Sequence, residues 1–194
     1  MPQLAELCDF YIVDSGSIIL SKERKMIHSI FFKPQLIPEI VAMMNNSPET
    51  PVPFYYTPVY EGADSRIDNV TKLRFWFSDS SQLDKISRNI SEAFPVFAVY
   101  AANVTSRHKE LKDRSCFIEI IPSESGKSRA IKILQETYHT PRETIITVGD
   151  GLNDLAMIQD FDGFVIAGSK LSNIHPELNT TPSFKDMVGK LLHG

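Results

Sequence analysis

The chain has 194 residues, of which 42% are hydrophobic and 23% are charged, and its formal net charge is −4. This composition is typical of a globular protein with one or two domains, and the acidic balance argues against nucleic acid as a partner. The lack of an apolar run of about 18 residues, and of a basic leader followed by an apolar stretch, predicts a cytoplasmic protein that does not enter a membrane.

The first predicted elements form a hairpin. Two apolar, β-forming segments lie on either side of Asp14-Ser15-Gly16 within residues 10–20, which predicts a strand, a tight turn and a second strand. A further strand is predicted from Met26 to Phe32. The first 33 residues therefore form a strand-rich segment that leads into the middle of the chain.

The middle of the chain combines strands with two helices. Residues 35–44 place apolar side chains at helical spacing, and the polar residues 78–81 supply caps for a helix over residues 82–93. The segment Val70–Phe77 alternates as a strand with one buried face does. Residues 95–101 are apolar enough to form a central strand.

From residue 116 onward, strands and helices alternate. Strands are predicted at 117–121, 144–148 and 163–167, and helices at 126–138, 153–159 and 183–192. This alternation favours right-handed βαβ crossovers and a parallel sheet. The sequence therefore predicts an α/β protein.

A loop with two glycines and two carboxylates follows the predicted strand 144–148. Its sequence is Gly149-Asp150-Gly151-Leu152-Asn153-Asp154. Ligands bind at the carboxyl ends of strands in open α/β sheets, and carboxylates there suit a hard cation such as Mg²⁺. The alternative is that Asp150 and Asn153 are only turn and cap residues. Asp154, four residues after Asp150, makes the acidic pair more specific.

Lys127 lies in the first turn of the predicted helix 126–138, one strand–helix unit before Asp150. An ammonium group at that place meets an anion bound near Asp150, and the helix N-terminus adds a favourable dipole. A lysine in the first turn of a helix is otherwise a solvated surface charge. Its position relative to Asp150 is what makes Lys127 a candidate phosphate ligand.

These two segments resemble motifs of a known superfamily. Ile121-Pro122-Ser123-Glu124-Ser125-Gly126-Lys127, with Asp150 of the glycine-rich loop 23 residues after the lysine (150 − 127), resembles the third and fourth motifs of haloacid dehalogenase (HAD) phosphatases. The resemblance is to the Cof-like and sucrose-phosphatase-like subfamily IIB. It implies that Lys127 stabilises the phosphoryl group, that Asp150 binds Mg²⁺, and that Asn153 helps to hold phosphate. It also implies that Asp154 either supports the metal or orients Lys127.

The resemblance also implies a domain organisation. It assigns residues 1–33 to a core strand and hairpin, 34–115 to an inserted α+β cap domain, and 116–194 to the C-terminal half of a Rossmann-like parallel-sheet core. A cap of this kind closes over a small phosphorylated metabolite, such as a sugar phosphate, and excludes water. The candidate substrate contacts in the cap are Tyr55, Tyr56, Arg66, Lys72 and Arg74.

HAD chemistry also needs a nucleophilic aspartate in an Asp-x-Asp-Gly-Thr motif, and the sequence contains none. The closest approach is Asp14-Ser15-Gly16, 113 residues before Lys127 (127 − 14), which leaves too little room for the unit that precedes the cap. It better matches the Asn-Gly-Ala element just before the cap. We therefore expect a truncated chain that is inactive alone and self-associates through an exposed sheet edge.

Two alternatives stay open at this point. One is a non-catalytic binding or regulatory protein that keeps the phosphate-binding surface of a former phosphatase. The other is a nucleotide-binding P-loop protein, suggested by Gly126-Lys127-Ser128 between a strand and a helix. The P-loop pattern requires a glycine at position 121, and the sequence has Ile121 there.

Overall fold

A computed structural model describes residues 8–57, 60–62, 68–103 and 115–193. The chain divides into two compact units, Met1–Ser125 and Gly126–Gly194. The first unit contains β1 (Phe10–Val13), β2 (Ile18–Ser21), β3 (Met26–Ser29), α1 (Leu36–Asn45), β4 (Val52–Thr57), β5 (Tyr60–Gly62), β6 (Lys72–Phe77), α2 (Leu83–Ala93), β7 (Phe97–Asn103) and β8 (Cys116–Pro122). The second contains α3 (Lys127–Tyr138), β9 (Val148–Gly149), α4 (Leu155–Asp160), β10 (Phe164–Ile166), α5 (Lys170–Ile174), β11 (Thr180–Thr181) and α6 (Phe184–His193).

The predicted N-terminal hairpin is present. Strands β1, β2 and β3 form an antiparallel sheet in that order, with Ile12 opposite Ile19 and Ile19 opposite His28. The turn between β1 and β2 is Asp14–Gly16, as predicted. The third strand ends at Ser29, earlier than predicted, and the chain continues to Phe32, whose backbone N–H donates to the Val70 carbonyl at 2.7 Å.

The five-stranded sheet of the first unit is antiparallel, with the order β5-β4-β6-β8-β7. One face packs against α1 and α2, because alternate residues of each strand point to the same side and the apolar ones meet the helices. The helix α2 places Leu83, Ile86 and Ile90 on one stripe at helical spacing, and all three are buried. This core also contains Ile40, Met44, Tyr55, Leu73, Phe75, Phe77, Ile118 and Ile120.

The opposite face of the same sheet carries charged and aromatic side chains. In the strand register, Arg74 lies opposite Glu119 and Glu119 lies opposite Tyr100, and Tyr56 lies opposite Lys72. These five residues, Tyr56, Lys72, Arg74, Tyr100 and Glu119, define what we call the polar face. The sheet is thus apolar towards its helices and polar on its other side.

The pairing of Cys116–Pro122 corrects one prediction. We expected this segment to open the parallel sheet, but it lies antiparallel between β6 and β7. An apolar strand buried on both faces has the same residue pattern in a parallel or an antiparallel sheet, so the sequence could not distinguish the two. The three-domain division of the chain stays a prediction.

The second unit contains a parallel sheet, as the alternating pattern predicted, with the order β11-β10-β9. Its core is formed by Met157, Ile158, Val165 and Leu171. The predicted strand 144–148 is shorter than expected, because its ladder with β10 begins only at Val148 and residues Arg142–Thr144 form a 3-10 turn. The sequence also missed α5 and β11. Within the described ranges, no helix combines the length and apolarity needed to cross a membrane.

Candidate active site

Lys127 is the first residue of α3, as the sequence predicted. Gly126 before it has a φ of 125°, a backbone conformation that glycine adopts readily and other residues rarely adopt. The lysine ammonium lies 2.5 Å from Oδ1 of Asp154, and the side chain of Lys127 remains 36% exposed. The start of α3 therefore presents a paired but accessible cation.

Asp154 joins the lysine to the glycine-rich loop. Its second oxygen, Oδ2, accepts the backbone N–H groups of Asp150 and Gly151, both at 3.1 Å. Asp154 is buried, and burying a charged group is costly unless it is paired and hydrogen-bonded in this way. A Cβ atom at Gly149 would lie 2.4 Å from the Cβ of Asp154, so only glycine allows the loop to pass this close.

The remaining polar groups of the loop face outward. Asp150 is exposed, and its carboxylate has no hydrogen-bond or ion-pair partner among the described residues. Its backbone carbonyl accepts the N–H of Leu171 at 3.4 Å, which fixes the loop to the start of α5. Asn153 is half-buried next to Gly151. The loop thus offers an exposed carboxylate and an amide close to the Lys127–Asp154 pair.

Asp150 is the residue of this loop whose carboxylate suits a bound Mg²⁺. Among the residues that the structure describes, no group of three or more His, Cys, Asp or Glu side chains is suited to hold a metal. Both oxygens of Asp154 are already bonded, which leaves Asp150 as the available carboxylate. Mg²⁺ is often held by one or two carboxylates together with water and substrate phosphate, and Asp150 matches that pattern.

A second carboxylate, which sequence reasoning missed, holds the start of α3 from another side. Asp160 accepts hydrogen bonds from the Ser128 hydroxyl and from the Lys132 ammonium, and its backbone carbonyl accepts from Arg142. The Lys132 ammonium and the Ser128 hydroxyl hold the pKa of Asp160 below its usual value. Ser128 and Lys132 are four residues apart on one helix face, and this spacing was the signal in the sequence.

The predicted cap contacts separate into three groups. Tyr55 is 2% exposed and lies in the hydrophobic core between the sheet and its helices, where it cannot contact a substrate. Tyr56, Lys72 and Arg74 lie on the polar face. Arg66 falls outside the described residues.

The cations of the polar face have internal partners. Arg74 Nη2 lies 2.5 Å from Glu119 Oε2, and its guanidinium stacks 4.2 Å from the Phe117 ring centroid. Lys72 Nζ lies 3.8 Å from Glu119 and 3.9 Å from Asp14, and 4.1 Å from the centroid of the Tyr56 ring. Two cations and two carboxylates thus balance each other.

Glu119 was also missed from the sequence, although a single charge within the apolar strand Cys116–Pro122 was a signal. It is 4% exposed. Burial raises the pKa of Glu119. The charges of Lys72 and Arg74 and the hydrogen bonds from Arg74 and Ser15 lower it by more, so the pKa lies below the usual 4.5. On the neighbouring strand, burial and the Glu119 charge raise the pKa of Tyr100.

The second unit contains the Lys127–Asp154 pair in contact with the glycine-rich loop. The first unit contains an antiparallel sheet with helices on one face. The family of haloacid dehalogenase-like hydrolases matches residues 2–174. The chain belongs to this family, which confirms the resemblance derived from the sequence. The antiparallel setting of the strand before Lys127 and the family match both argue against the P-loop alternative.

One curated relative is 5-amino-6-(5-phospho-D-ribitylamino)uracil phosphatase YwtE of Bacillus subtilis. It is 35% identical over 82 residues, which cover 40% of this chain but only 27% of the relative. The chain thus matches about a quarter of that protein's length.

Solved structures show the same fold over most of the chain. SMU.1108c from Streptococcus mutans UA159 has a TM-score of 0.73 at 14% identity, covering 95% of this chain and 77% of that protein. A haloacid dehalogenase-like hydrolase from B. subtilis has a TM-score of 0.69 at 13% identity, with coverages of 88% and 73%. The subclass IIB sugar phosphatase BT4131 has a TM-score of 0.70 at 12% identity, with coverages of 92% and 71%. The predicted α/β fold class is confirmed.

Proposed function

We propose that this protein serves as a Mg²⁺-dependent phosphomonoester hydrolase of the haloacid dehalogenase type, acting on a sugar phosphate or a similar small metabolite. The observation that carries the proposal is the Lys127–Asp154 pair at the start of α3, in a chain of this family. YwtE is named as a phosphatase of a phosphorylated ribityl compound, and BT4131 as a sugar phosphatase. Both names support the same substrate class.

In this proposal Lys127 holds the phosphoryl group. An ammonium has three donors, and the pair with Asp154 uses one of them, so the others remain for phosphate oxygens. The backbone N–H groups at the start of α3 add positive potential, and the amide of Asn153 supplies a further donor. The charge that develops on the transferred phosphoryl oxygens is stabilised by such preorganised donors.

The two carboxylates of the loop have different roles. The sequence left open whether Asp154 supports a metal or orients Lys127, and its bonded oxygens support the second role. We therefore assign Asp154 as a positioning residue and Asp150 as the Mg²⁺ ligand. When bound, the ion neutralises charge on the phosphate oxygens.

The chain of 194 residues supplies binding groups but no recognised nucleophile. It contains no Asp-x-Asp-Gly-Thr string, and the carboxylate of Asp14 is engaged by the Thr71 hydroxyl at 2.8 Å and by Lys72. We propose that hydrolysis needs a nucleophile that these 194 residues do not supply, so that by themselves they bind phosphate without turning over an ester. A non-catalytic binding or regulatory role is therefore the second candidate function.

With Asp14 included, the polar face carries no net positive charge. Lys72 and Arg74 are already neutralised by Glu119 and Asp14, so this surface offers hydrogen-bonding groups and aromatic rings rather than net positive charge. Self-association and a cytoplasmic location stay predictions from the sequence.

Calorimetry with inorganic phosphate and Mg²⁺ tests the proposed site. The variant Lys127→Ala should lose binding, whereas Arg129→Ala, which removes an exposed cation in the same helical turn, should retain affinity within about twofold. Equal losses in both variants would contradict the assignment of Lys127. Turnover of p-nitrophenyl phosphate by the purified chain would refute the proposal that these residues bind without catalysing.

A further inference from the structure

The turn between β1 and β2 has a strained backbone. Asp14 and Ser15 have φ values of 49° and 57°, and Gly16 follows with a φ of 99°. Three successive residues therefore occupy the left-handed region, which glycine adopts readily and other residues adopt uncommonly. A conformation of this kind persists only when the surrounding structure holds it in place.

The contacts that hold the turn come from distant parts of the first unit. The Thr71 hydroxyl donates to Asp14 Oδ2 at 2.8 Å, and the Ser15 hydroxyl donates to Glu119 Oε1 at 2.5 Å. The Ser17 hydroxyl contacts the Thr71 carbonyl at 3.1 Å and the Ser125 hydroxyl at 3.0 Å. Each partner is at least 54 residues away in sequence.

Glu119 connects the turn to the polar face. One of its oxygens accepts from Ser15 and the other accepts from Arg74. The same carboxylate therefore holds the hairpin turn and neutralises a cation of the sheet. Since Glu119 is almost fully buried, loss of either partner leaves a costly unsatisfied group.

We propose that the Asp14–Gly16 turn is a strained latch, closed by Glu119, that fastens the N-terminal hairpin to the polar face of the five-stranded sheet. The hairpin is held to the sheet at this turn and has its own ladder, so opening the latch loosens residues 10–21 while the five-stranded sheet stays folded. Opening releases Glu119 from Ser15, while Lys72 and Arg74 stay paired with Glu119 and become available to an anion only when that carboxylate loses its charge. Only this last step rests on the proposed function.

The latch is tested by hydrogen exchange of the full chain, followed by mass spectrometry. The variant Ser15→Ala removes the hydroxyl that reaches Glu119. Exchange of peptides covering residues 10–21 should then rise about tenfold or more, which is the effect of losing one hydrogen bond to a charged group. Peptides covering 72–77 and 116–122 should change by less than about twofold, because the sheet stays intact.

Two further variants separate the latch from a general loss of stability. Ser21→Ala removes a hydroxyl of the same hairpin whose two hydrogen bonds, to the Glu23 carboxylate and from the Lys25 backbone N–H, are both exposed, and it should change exchange by less than about twofold. Ser15→Gly removes the hydroxyl but also the strain, so it should open the hairpin less than Ser15→Ala does. Equal exchange in Ser15→Ala and Ser21→Ala would overturn the latch, and so would equal acceleration in hairpin and sheet.

The link to ligand binding has its own readout. In Glu119→Gln the two cations lose their shared carboxylate, and titration with inorganic phosphate should reveal a second binding event that Arg74→Gln in the same background abolishes. Absence of the second event, with the exchange result intact, would overturn the link to anions and leave the latch standing. If the Lys127 site of the wild type does not bind phosphate, that result contradicts the proposed function and leaves the latch untouched.

Discussion

Asp154 holds Lys127 and the glycine-rich loop together through the two oxygens of one carboxylate. Oδ1 lies 2.5 Å from the lysine Nζ, and Oδ2 accepts the N–H groups of Asp150 and Gly151. The same side chain thus fixes the cation proposed to bind phosphate and the loop proposed to bind the metal. A change at Asp154 should disturb both at once.

We expect Asp154→Asn to weaken phosphate binding by about tenfold or more, because the amide cannot pair with the ammonium and bond both backbone groups. Leaving buried donors unsatisfied should also lower the free energy of unfolding by about 1–3 kcal/mol. Calorimetry and chemical denaturation measure the two effects. Asp162→Asn, which removes an exposed ion pair with Arg142, should change stability by less than about 1 kcal/mol. An unchanged phosphate affinity in Asp154→Asn would contradict the assignment of Asp154 as a positioning residue.

A second prediction concerns the space beside Asp154. In Gly149→Ala the new methyl group would lie 2.4 Å from the Asp154 Cβ and 2.7 Å from its Cγ, so either the loop or the carboxylate must move. We expect a loss of about 1–3 kcal/mol in unfolding free energy together with weaker phosphate binding. Gly189→Ala, in α6 with no atom within 4 Å of the new methyl, should stabilise by about 0.5–1 kcal/mol. Similar responses at the two positions would contradict the steric argument.

The residues of the proposed site could be predicted from the sequence because they lie in two short segments with recognisable local patterns. Gly149–Asp154 follows a strand of the parallel sheet, and ligands bind at the carboxyl ends of such strands. Lys127 begins a helix, although the strand before it is antiparallel. These rules need only short-range spacing. The roles of Asp150 and Asp154 could not be separated in this way, because the side-chain partners of each carboxylate depend on three-dimensional packing.

The parts that the sequence did not predict depend on long-range pairing. Cys116–Pro122 has the same apolar pattern whether its neighbours run parallel or antiparallel. Its antiparallel position between β6 and β7 could therefore not be predicted from the sequence. Glu119 and Asp14 meet Lys72 only because three distant segments converge. Tyr55 and Tyr56 are adjacent in sequence, and only the register of β4 decides that Tyr55 enters the core and Tyr56 the polar face.

The low pKa of Glu119 predicts how the latch responds to acid. Burial raises this pKa, while Lys72, Arg74 and the hydrogen bonds lower it to a net value below the usual 4.5. Because the folded pKa is depressed, the stabilisation is fully present above about pH 4.5 and is lost as the pH falls through the folded value. The difference in unfolding free energy between the wild type and Glu119→Gln should therefore be constant from neutral pH to about 5 and shrink below that.

Denaturation curves measured at several pH values check this prediction. Taking the difference between the two proteins removes the contribution of Asp160, whose pKa is also lowered, by Lys132 and Ser128. A difference that grows as the pH falls would mean that Glu119 has a raised pKa in the folded protein. In that case burial, and not the neighbouring cations, would dominate its environment.

The last prediction concerns the contact between α3 and α4. Ser128 is buried and donates to the carboxylate of Asp160, so Ser128→Ala should lower the unfolding free energy by about 1–3 kcal/mol. Thr137→Ala removes an exposed hydroxyl that bonds only within the same helix, and it should change stability by less than about 0.5 kcal/mol. Phosphate affinity in Ser128→Ala shows whether Asp160 also positions Lys127: a tenfold loss indicates that it does, and an unchanged affinity limits Asp160 to helix packing.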